Sequence, residues 1–389
     1  MSIENQAPDY IRAIAPYQGG RPIAEIARLY GFTEDSIVKL ASNENPLGMS
    51  PKARQAMLDA SADLGRYPDG NGHDLKLAIS RRFDLPMDWI TLGNGSNDIL
   101  ELVAHAFLRP GRESLYAAHS FAVYALATQA NGGTSVVVPA KANDLGHDLD
   151  AMRAAVTSKT AVVWVANPNN PTGSFIEAKS LKAFIDGIPE DVLVVLDEAY
   201  TEYLEPSEHY DAFDWVRHHP NLLVSRSFSK AYGLAGLRVG YGVAQPAVTD
   251  LLNRVRQPFN VNSLAQAAAS AALFDEEFLA ESAALNREGL VQLSRGLRDL
   301  GLHVLPSRGN FVLVDLSTSA SFVAALDAVT GDAGKPLGVR CFEALLAKGV
   351  ITRPVANYGL PKHLRVSVGL REENAVFLDA MQALARGEK

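Results

Sequence analysis

The stretch "NLLVSRSFSKAYGLAGLRVGYGV", residues 221–243, decides how the chain is read. Its apolar run Leu222 to Ser225 has the length and content of a strand buried on both faces, and Val239 to Val243 has the same character. Between them stands Lys230, with Ser227 and Ser229 just ahead and Ala231, Gly233, Ala235 and Gly236 just behind. A solvated surface lysine needs no such setting. An amine in a poorly solvated pocket has its charged form disfavoured, so its pKa falls and it becomes a usable nucleophile. Lysines of that kind form Schiff bases with carbonyl compounds. Most lysines are solvated, so a helix-start surface lysine is the competing reading and the neighbours must decide.

Outward from this stretch, short β-rich runs alternate with helix-like segments. The other runs are Ile90 to Leu92, Ser114 to Tyr116, Ser135 to Val138, Ala161 to Val165 and Val192 to Leu196; helical patterns include Asn97 to Leu108 and Lys179 to Ile185. Alternation of this kind predicts an α/β domain with a mostly parallel sheet buried on both faces. Ligands bind such domains at the carboxyl ends of the strands. After about residue 245 the pattern changes to the alanine-rich helix "SLAQAAASAAL" (263–273), the helix-like "AESAALNREGLVQLSRGLRDLG" (280–301), strand-like "FVLVDL" (311–316), a helix around Val339 to Lys348, and strand-like "LRVSVGL" (364–370). This reads as a smaller α+β domain, with Thr330 to Gly338 as an exposed loop. The first ~45 residues show no strong sheet pattern and are expected to pack on it.

Composition excludes several classes. With 389 residues and 47% hydrophobic content, the chain is long enough for two domains and a substantial core. A net charge of −8 without a basic block argues against nucleic-acid binding. Cys341 is the only cysteine and the nine histidines show no metal-binding spacing, so neither a disulfide nor a metal site is expected. The lone thiol fits a reducing compartment. The opening "MSIENQAPDY" lacks an apolar core, so no signal peptide is expected, and no apolar run is long enough to span a bilayer. The expectation is a cytoplasmic protein.

The residues around Lys230 suit one cofactor. Pyridoxal phosphate needs a phosphate site, a carboxylate against its ring nitrogen and a lysine for its aldehyde. Ser227, Ser229 and Arg238 flank the lysine and offer hydroxyls and a guanidinium. "GNGSND" (93–98) follows a strand and opens a helix, the setting of a backbone phosphate cradle, although it is also an ordinary helix cap. Asp197 ends the run "VLVVLDEAY" (192–200), where a carboxylate is costly unless it meets a cation. A strand-end salt bridge is its plainer reading.

Taken in order, "LDEAY" (196–200), "NPNNPTG" (167–173) and "SFSKAYGLAGLRVGY" (227–241) resemble the fold type I, pyridoxal-phosphate-dependent aminotransferases. More narrowly, "KLASNENPLG" (39–48), "RYPDGNG" (66–72) and "LRVSVGLREEN" (364–374) resemble the histidinol-phosphate aminotransferases. The resemblance runs from about Pro16 to Asn374. It implies a large cofactor-binding domain over 46–285 with a mostly parallel seven-stranded sheet, and a small α+β domain built from both termini, 1–45 and 286–389. It implies pyridoxal 5'-phosphate, with Lys230, Asp197 and Tyr200 as catalytic residues. Lys230 would carry the cofactor and shuttle a proton, and Asp197 would pair with the ring nitrogen. Asn170 and Tyr200 would bond the ring's 3-oxygen, and Phe121 in "HSFAVY" (119–124) would stack on the ring. Gly95, Ser96, Asn97, Ser227, Ser229 and Arg238 would hold its phosphate. Tyr67 would reach the neighbouring subunit's site in a homodimer. Arg365, Arg353 and Tyr17 would bind substrate, with the segment around Tyr17 closing over it. Each of these residues, taken alone, also fits a turn, core or surface role.

The activity so implied is transamination of L-histidinol phosphate with 2-oxoglutarate, giving imidazole-acetol phosphate and glutamate in histidine biosynthesis. The sequence departs from the family in places. Asn97-Asp98 stands where an acidic pair is frequent, Phe121 where tyrosine is common, and Gly19-Gly20-Arg21 where Pro-Gly-Lys is frequent. Apolar contact alone separates an imidazole from a phenyl ring only modestly. An aromatic amino acid aminotransferase is therefore the nearest alternative, and a decarboxylase of the same fold the next. A cofactor-binding regulator is set aside, because no helix-turn-helix signal is seen.

Overall fold

In the computed structural model, which describes residues 2–16, 19–331 and 334–388, all seven apolar runs become strands of one sheet. They are β1 (Ile90–Gly93), β2 (Glu113–Ala117), β3 (Thr134–Val138), β4 (Thr160–Ala166), β5 (Leu193–Asp197), β6 (Leu222–Ser227) and β7 (Gly240–Val243). Their spatial order is β1-β7-β6-β5-β4-β2-β3. The pairs from β3 to β6 are parallel, and β7 runs antiparallel to both β1 and β6.

The strands alternate between two apolar layers, as the period of two requires. Val163, Val165, Val194 and Leu196 pack with Phe184 and with Ala265, Ala268 and Ala269 of the alanine-rich helix Ser263–Ala272. Val162, Trp164 and Val195 pack on the other side with helices α1 (Ser96–Phe107) and α2 (Ala122–Ala130). One strand departs from the expectation of burial on both faces: apart from Val138, β3 is exposed or half-buried. It lies at the sheet edge, beyond which no further strand covers it.

Helix α3 (Glu276–Asp299) leads into a second, antiparallel sheet of β8 (His303–Val304), β9 (Phe311–Asp315), β10 (Arg353–Pro354) and β11 (His363–Ser367), in the order β10-β11-β9-β8. Its core joins Leu293 and Leu297 of α3 to Val312, Val314, Leu364, Val366 and Phe377. The N-terminal segment adds a two-residue strand that the sequence pattern does not show: Val38–Lys39 pairs in parallel with Val350–Ile351. Ile26, Ile37 and Ala41 share an apolar cluster with Leu346 and Ile351. In the expected loop from 330 to 338, the helix Ala320–Thr330 stops at Gly331 with φ 65° and the next helix starts at Leu337; residues 332 and 333 lie outside the described residues. Among the described residues, no helix is long and apolar enough to cross a membrane.

Two close approaches bring the strand ends together. Gly240 pairs with Ser227 on one side and Gly93 on the other. A Cβ there would stand 2.4 Å from the Ser96 nitrogen, so only glycine lets the start of α1 sit against the sheet. Gly233, at φ +69°, packs on the backbone of "NPLG": its Cβ would fall 1.8 Å from the Gly48 carbonyl oxygen. Gly233→Ala meets both a left-handed backbone and an immovable carbonyl. It is expected to lower stability by about 2 kcal/mol or more, read as a fall in the urea midpoint at unchanged slope.

Candidate active site

Strand β5 is apolar until its last residue, Asp197, which is 5% exposed. Its Oδ2 accepts a hydrogen bond from the Tyr124 hydroxyl at 2.8 Å. Its Oδ1 is buried and has no partner in the protein. Burial pushes the carboxyl up to about 6, and the neighbouring Glu198 adds to this, while the Tyr124 hydrogen bond and the charge of Lys230 pull the other way. An unpartnered carboxylate oxygen on a residue that lines a cavity is a place for a cationic N–H.

Lys230 enters the same cavity from the loop after β6. Its Nζ donates to the Ser42 carbonyl at 3.3 Å and lies 5.8 Å from the centre of the Tyr200 ring. Burial, then the charge of Arg365, pushes the amine down to about 8. The setting inferred from the small residues around it is therefore the one it occupies.

An anion pole lies beside the amine. Gly95 caps the 12-residue helix α1 at φ 82°, and a Cβ on it would come 2.5 Å from Nη2 of Arg238. The guanidinium thus lies against the first turn, whose N–H groups have no partners within the helix. Arg238 Nη1 donates to Ser229 Oγ at 3.4 Å and to the Ala235 carbonyl at 3.1 Å, and the Ser229 N–H donates to Ser227 Oγ at 3.0 Å. Cations, hydroxyls and helix N–H groups here suit a phosphate.

Ser96, Asn97, Phe121, Asn170, Asp197, Tyr200, Ser227, Ser229, Lys230 and Arg238 all line one cavity of about 230 Å³. Residues far apart in sequence thus present the donors and acceptors that the expected cofactor requires. Arg365, on β11, does not line the cavity but bonds a residue that does: Nη1 donates to Asn170 Oδ1 at 2.6 Å, and Nη2 donates to the Ala41 carbonyl at 2.7 Å. With its oxygen so engaged, Asn170 has its amide N–H₂ to offer the cavity. Arg353 pairs with Arg365 across β10 and β11 but is not among the lining residues. Tyr67 does not line its own chain's cavity; it is 82% exposed and stacked on Phe259 at 4.8 Å. Tyr17 lies outside the described residues.

Sequence reasoning passed over Tyr124 and Asn43. Tyr124 stands one helical turn from Phe121 on α2 and stacks on Trp164 at 5.2 Å; the i, i+3 spacing was a visible signal. Asn43 sits inside "KLASNENPLG" and donates to the Tyr200 hydroxyl at 2.9 Å. Ser42 and Glu44 of the same motif also line the cavity. Among the described residues, no group of three or more His, Cys, Asp or Glu side chains could hold a metal ion.

Comparison with known proteins gives a consistent picture. Residues 35–381 match the family model described as aminotransferase class I and II. The chain is 58% identical to histidinol-phosphate aminotransferase 1 of Cupriavidus pinatubonensis over 375 residues, covering 96% of this chain and 95% of that one. It is 58% identical to histidinol-phosphate aminotransferase 2 of Ralstonia nicotianae over 382 residues, 98% of each. Among solved structures it resembles the histidinol-phosphate aminotransferase of Sinorhizobium meliloti in complex with pyridoxal-5'-phosphate, with a TM-score of 0.84, 27% identity and 98% of each chain covered.

The raised carboxyl of Asp197 has a consequence for stability. With nothing bound, the folded protein holds this proton more tightly than the unfolded chain between the ordinary value of 3.8 and about 6, so stability falls as pH rises through that window. Asp197→Asn removes the titration. The variant is expected to gain on the parent as pH rises from about 4 to above 6, by up to roughly 3 kcal/mol, in urea midpoints taken at stepped pH. Tyr124→Phe removes a bond that favours the carboxylate and should extend the parent's fall to higher pH.

Proposed function

The chain belongs to the class I and II aminotransferases, and from that premise we propose that it transaminates L-histidinol phosphate with 2-oxoglutarate, using pyridoxal 5'-phosphate. The observation that carries the reading is the convergence of Lys230, the unpartnered Asp197 Oδ1 and the anion pole of Ser96 to Arg238 on one cavity. The substrate rests on full-length identity of 58% to relatives named for it.

When bound, the cofactor supplies an aldehyde for an amine and a ring that accepts the electron pair left at the substrate's Cα. The chain's residues do the rest. Asp197 would hold the ring nitrogen in its protonated form through Oδ1, which would keep the ring an electron acceptor. Asn170 and Tyr200 would donate to the ring's 3-oxygen, and Phe121 would cover one face. Gly95, Ser96, Asn97, Ser227, Ser229 and Arg238 would hold the phosphate. Lys230 would stand, as a free half-buried amine, beside the substrate's Cα. Its depressed pKa gives it a neutral fraction near pH 7 that can take the Cα proton. Arg365 binds the phosphate of one substrate and a carboxylate of the other, since a guanidinium meets either through paired hydrogen bonds. Arg353 and Tyr17 assist from β10 and from the N-terminal segment, which excludes water as it closes.

The working unit in this reading is a cytoplasmic homodimer. Tyr67 supports this: an 82% exposed aromatic beside a half-exposed Phe259 fits a side chain that reaches a partner's phosphate site. An aromatic amino acid aminotransferase and a decarboxylase remain as outcomes of the test.

The test follows the visible absorption of the cofactor-loaded protein as L-histidinol phosphate is added, and separately L-phenylalanine. Rapid conversion by histidinol phosphate alone is expected, with recovery of the starting band on adding 2-oxoglutarate. Equal or faster conversion by phenylalanine overturns the substrate. Release of carbon dioxide from a carboxylate-bearing amino acid such as L-phenylalanine, with no requirement for 2-oxoglutarate, points to decarboxylation. Lys230→Ala is expected to keep some cofactor and lose at least about a hundredfold in turnover.

A further inference from the structure

We propose that Asn43 is a positioning residue that fixes the Tyr200 hydroxyl as a donor toward the cofactor's 3-oxygen, an inference that rests on the pyridoxal phosphate reading above. Asn43 is 1% exposed and held at φ 55°. Its backbone N–H donates to Ser367 Oγ at 2.8 Å, and Ser367 Oγ donates in turn to Asn43 Oδ1 at 2.9 Å. That exchange orients the amide. Turning it over would aim two donors at the Ser367 oxygen and leave the serine proton without an acceptor in a buried place.

The Asn43 Nδ2 therefore faces the Tyr200 hydroxyl, at 2.9 Å. An amide N–H₂ can only donate. Tyr200 must accept from it, and the single phenolic proton is left to point elsewhere, with the cavity that Tyr200 lines as the open direction. The ring itself is held by edge packing on Phe311 at 5.5 Å. Arg365, Asp197 and Tyr358 are the charged and titratable groups that act on the hydroxyl, and the Lys230 amine lies over its ring. Burial pushes the phenol up to about 12, so it keeps its proton at neutral pH.

Asn43 is also clamped to the small sheet. The Asn310 amide, just before β9, donates to the Asn43 carbonyl at 3.0 Å. Ser367 lies on β11 two residues after Arg365. The strand that carries the substrate-binding arginine thus also carries the hydroxyl that sets the direction of the Tyr200 proton.

A donor on the ring oxygen favours its anionic form, so weakening that donor raises the pH midpoint of the cofactor's visible band. In the cofactor-loaded protein, Asn43→Ala is expected to raise this midpoint by about half to one pH unit. Tyr200→Phe should raise it at least as far, and Asn43→Ala should add nothing in a Tyr200→Phe background. Should Asn43→Ala not fold, Ser367→Ala carries the same test: the amide is freed to turn, and the midpoint rises by less. An unchanged midpoint, or the same shift in the Tyr200→Phe background, overturns the proposal. If the unsubstituted protein develops no visible band with pyridoxal phosphate, the cofactor reading falls and takes this inference with it; a normal band with an unmoved midpoint overturns the Asn43 role alone.

Discussion

A carboxylate placed at the end of a buried strand must find a cation or give up its charge. The chain faces that constraint twice in succession, and the two outcomes differ. Glu198 is fully buried and is answered internally, by Arg226 at 2.9 Å. That guanidinium lies in turn over the Phe213 ring at 4.1 Å. Asp197, one residue earlier, meets the Tyr124 hydroxyl and the Ala199 backbone but no cation in direct contact, and it lines a cavity. Successive residues point to opposite sides, so one carboxylate is a structural ion pair and its neighbour an open valence. The rest of the site is arranged around that open oxygen. Parallel pairing sets Asp197 opposite Ser225 and brings the lysine loop after β6 alongside. Helix α2 delivers Phe121 and Tyr124 together, with their rings edge to face at 6.0 Å.

The substrate end is assembled differently, from segments that no single element unites. Ala41 to Asn43, Asn170, Tyr200 and Arg365 to Ser367 meet mostly through side-chain to side-chain bonds across both sheets. Three of those bonds join the N-terminal segment or the "NPNNPTG" turn to β11, and the fourth joins Asn43 to Tyr200. A small movement of β11 relative to the large sheet therefore changes the arginine, the asparagine and the tyrosine together. Such coupling fits a site that has to receive two different anionic substrates in turn.

Much of this was legible in the sequence because the signals are local. Strand runs bounded by glycine and asparagine, a lysine among small residues and a carboxylate ending an apolar run all depend on neighbours within a few positions. What was not legible depends on how the sheets are ordered. That Tyr124 rather than some other face of α2 meets Asp197 follows from α2 lying over β4 and β5, which no local pattern states. Burial of β3 was overestimated for the same reason: "TSVVV" reads as a core strand, and only its place at the edge exposes it. Arg353 and Arg365 are both substrate residues in the sequence reading; the register sets them opposite each other on one face of the small sheet, and Arg365 meets the cavity through its bond to Asn170.

Lys230 and Asp197 carry opposite charges in one cavity, which should strengthen both charged forms. Instead both are moved toward neutrality, the amine down to about 8 and the acid up to about 6. In each case burial is the largest cause, and the attraction between the two is among the smaller ones. Desolvation outweighs pairing here because the groups address different parts of the cavity rather than each other. The amine donates to the Ser42 carbonyl and the acid accepts from Tyr124. A direct salt bridge would have quenched both, leaving neither a basic amine nor a free oxygen. Keeping them apart in a poorly hydrated space preserves two reactive groups at one pH, and it is the apolar layers of the sheet, more than any single contact, that maintain that separation.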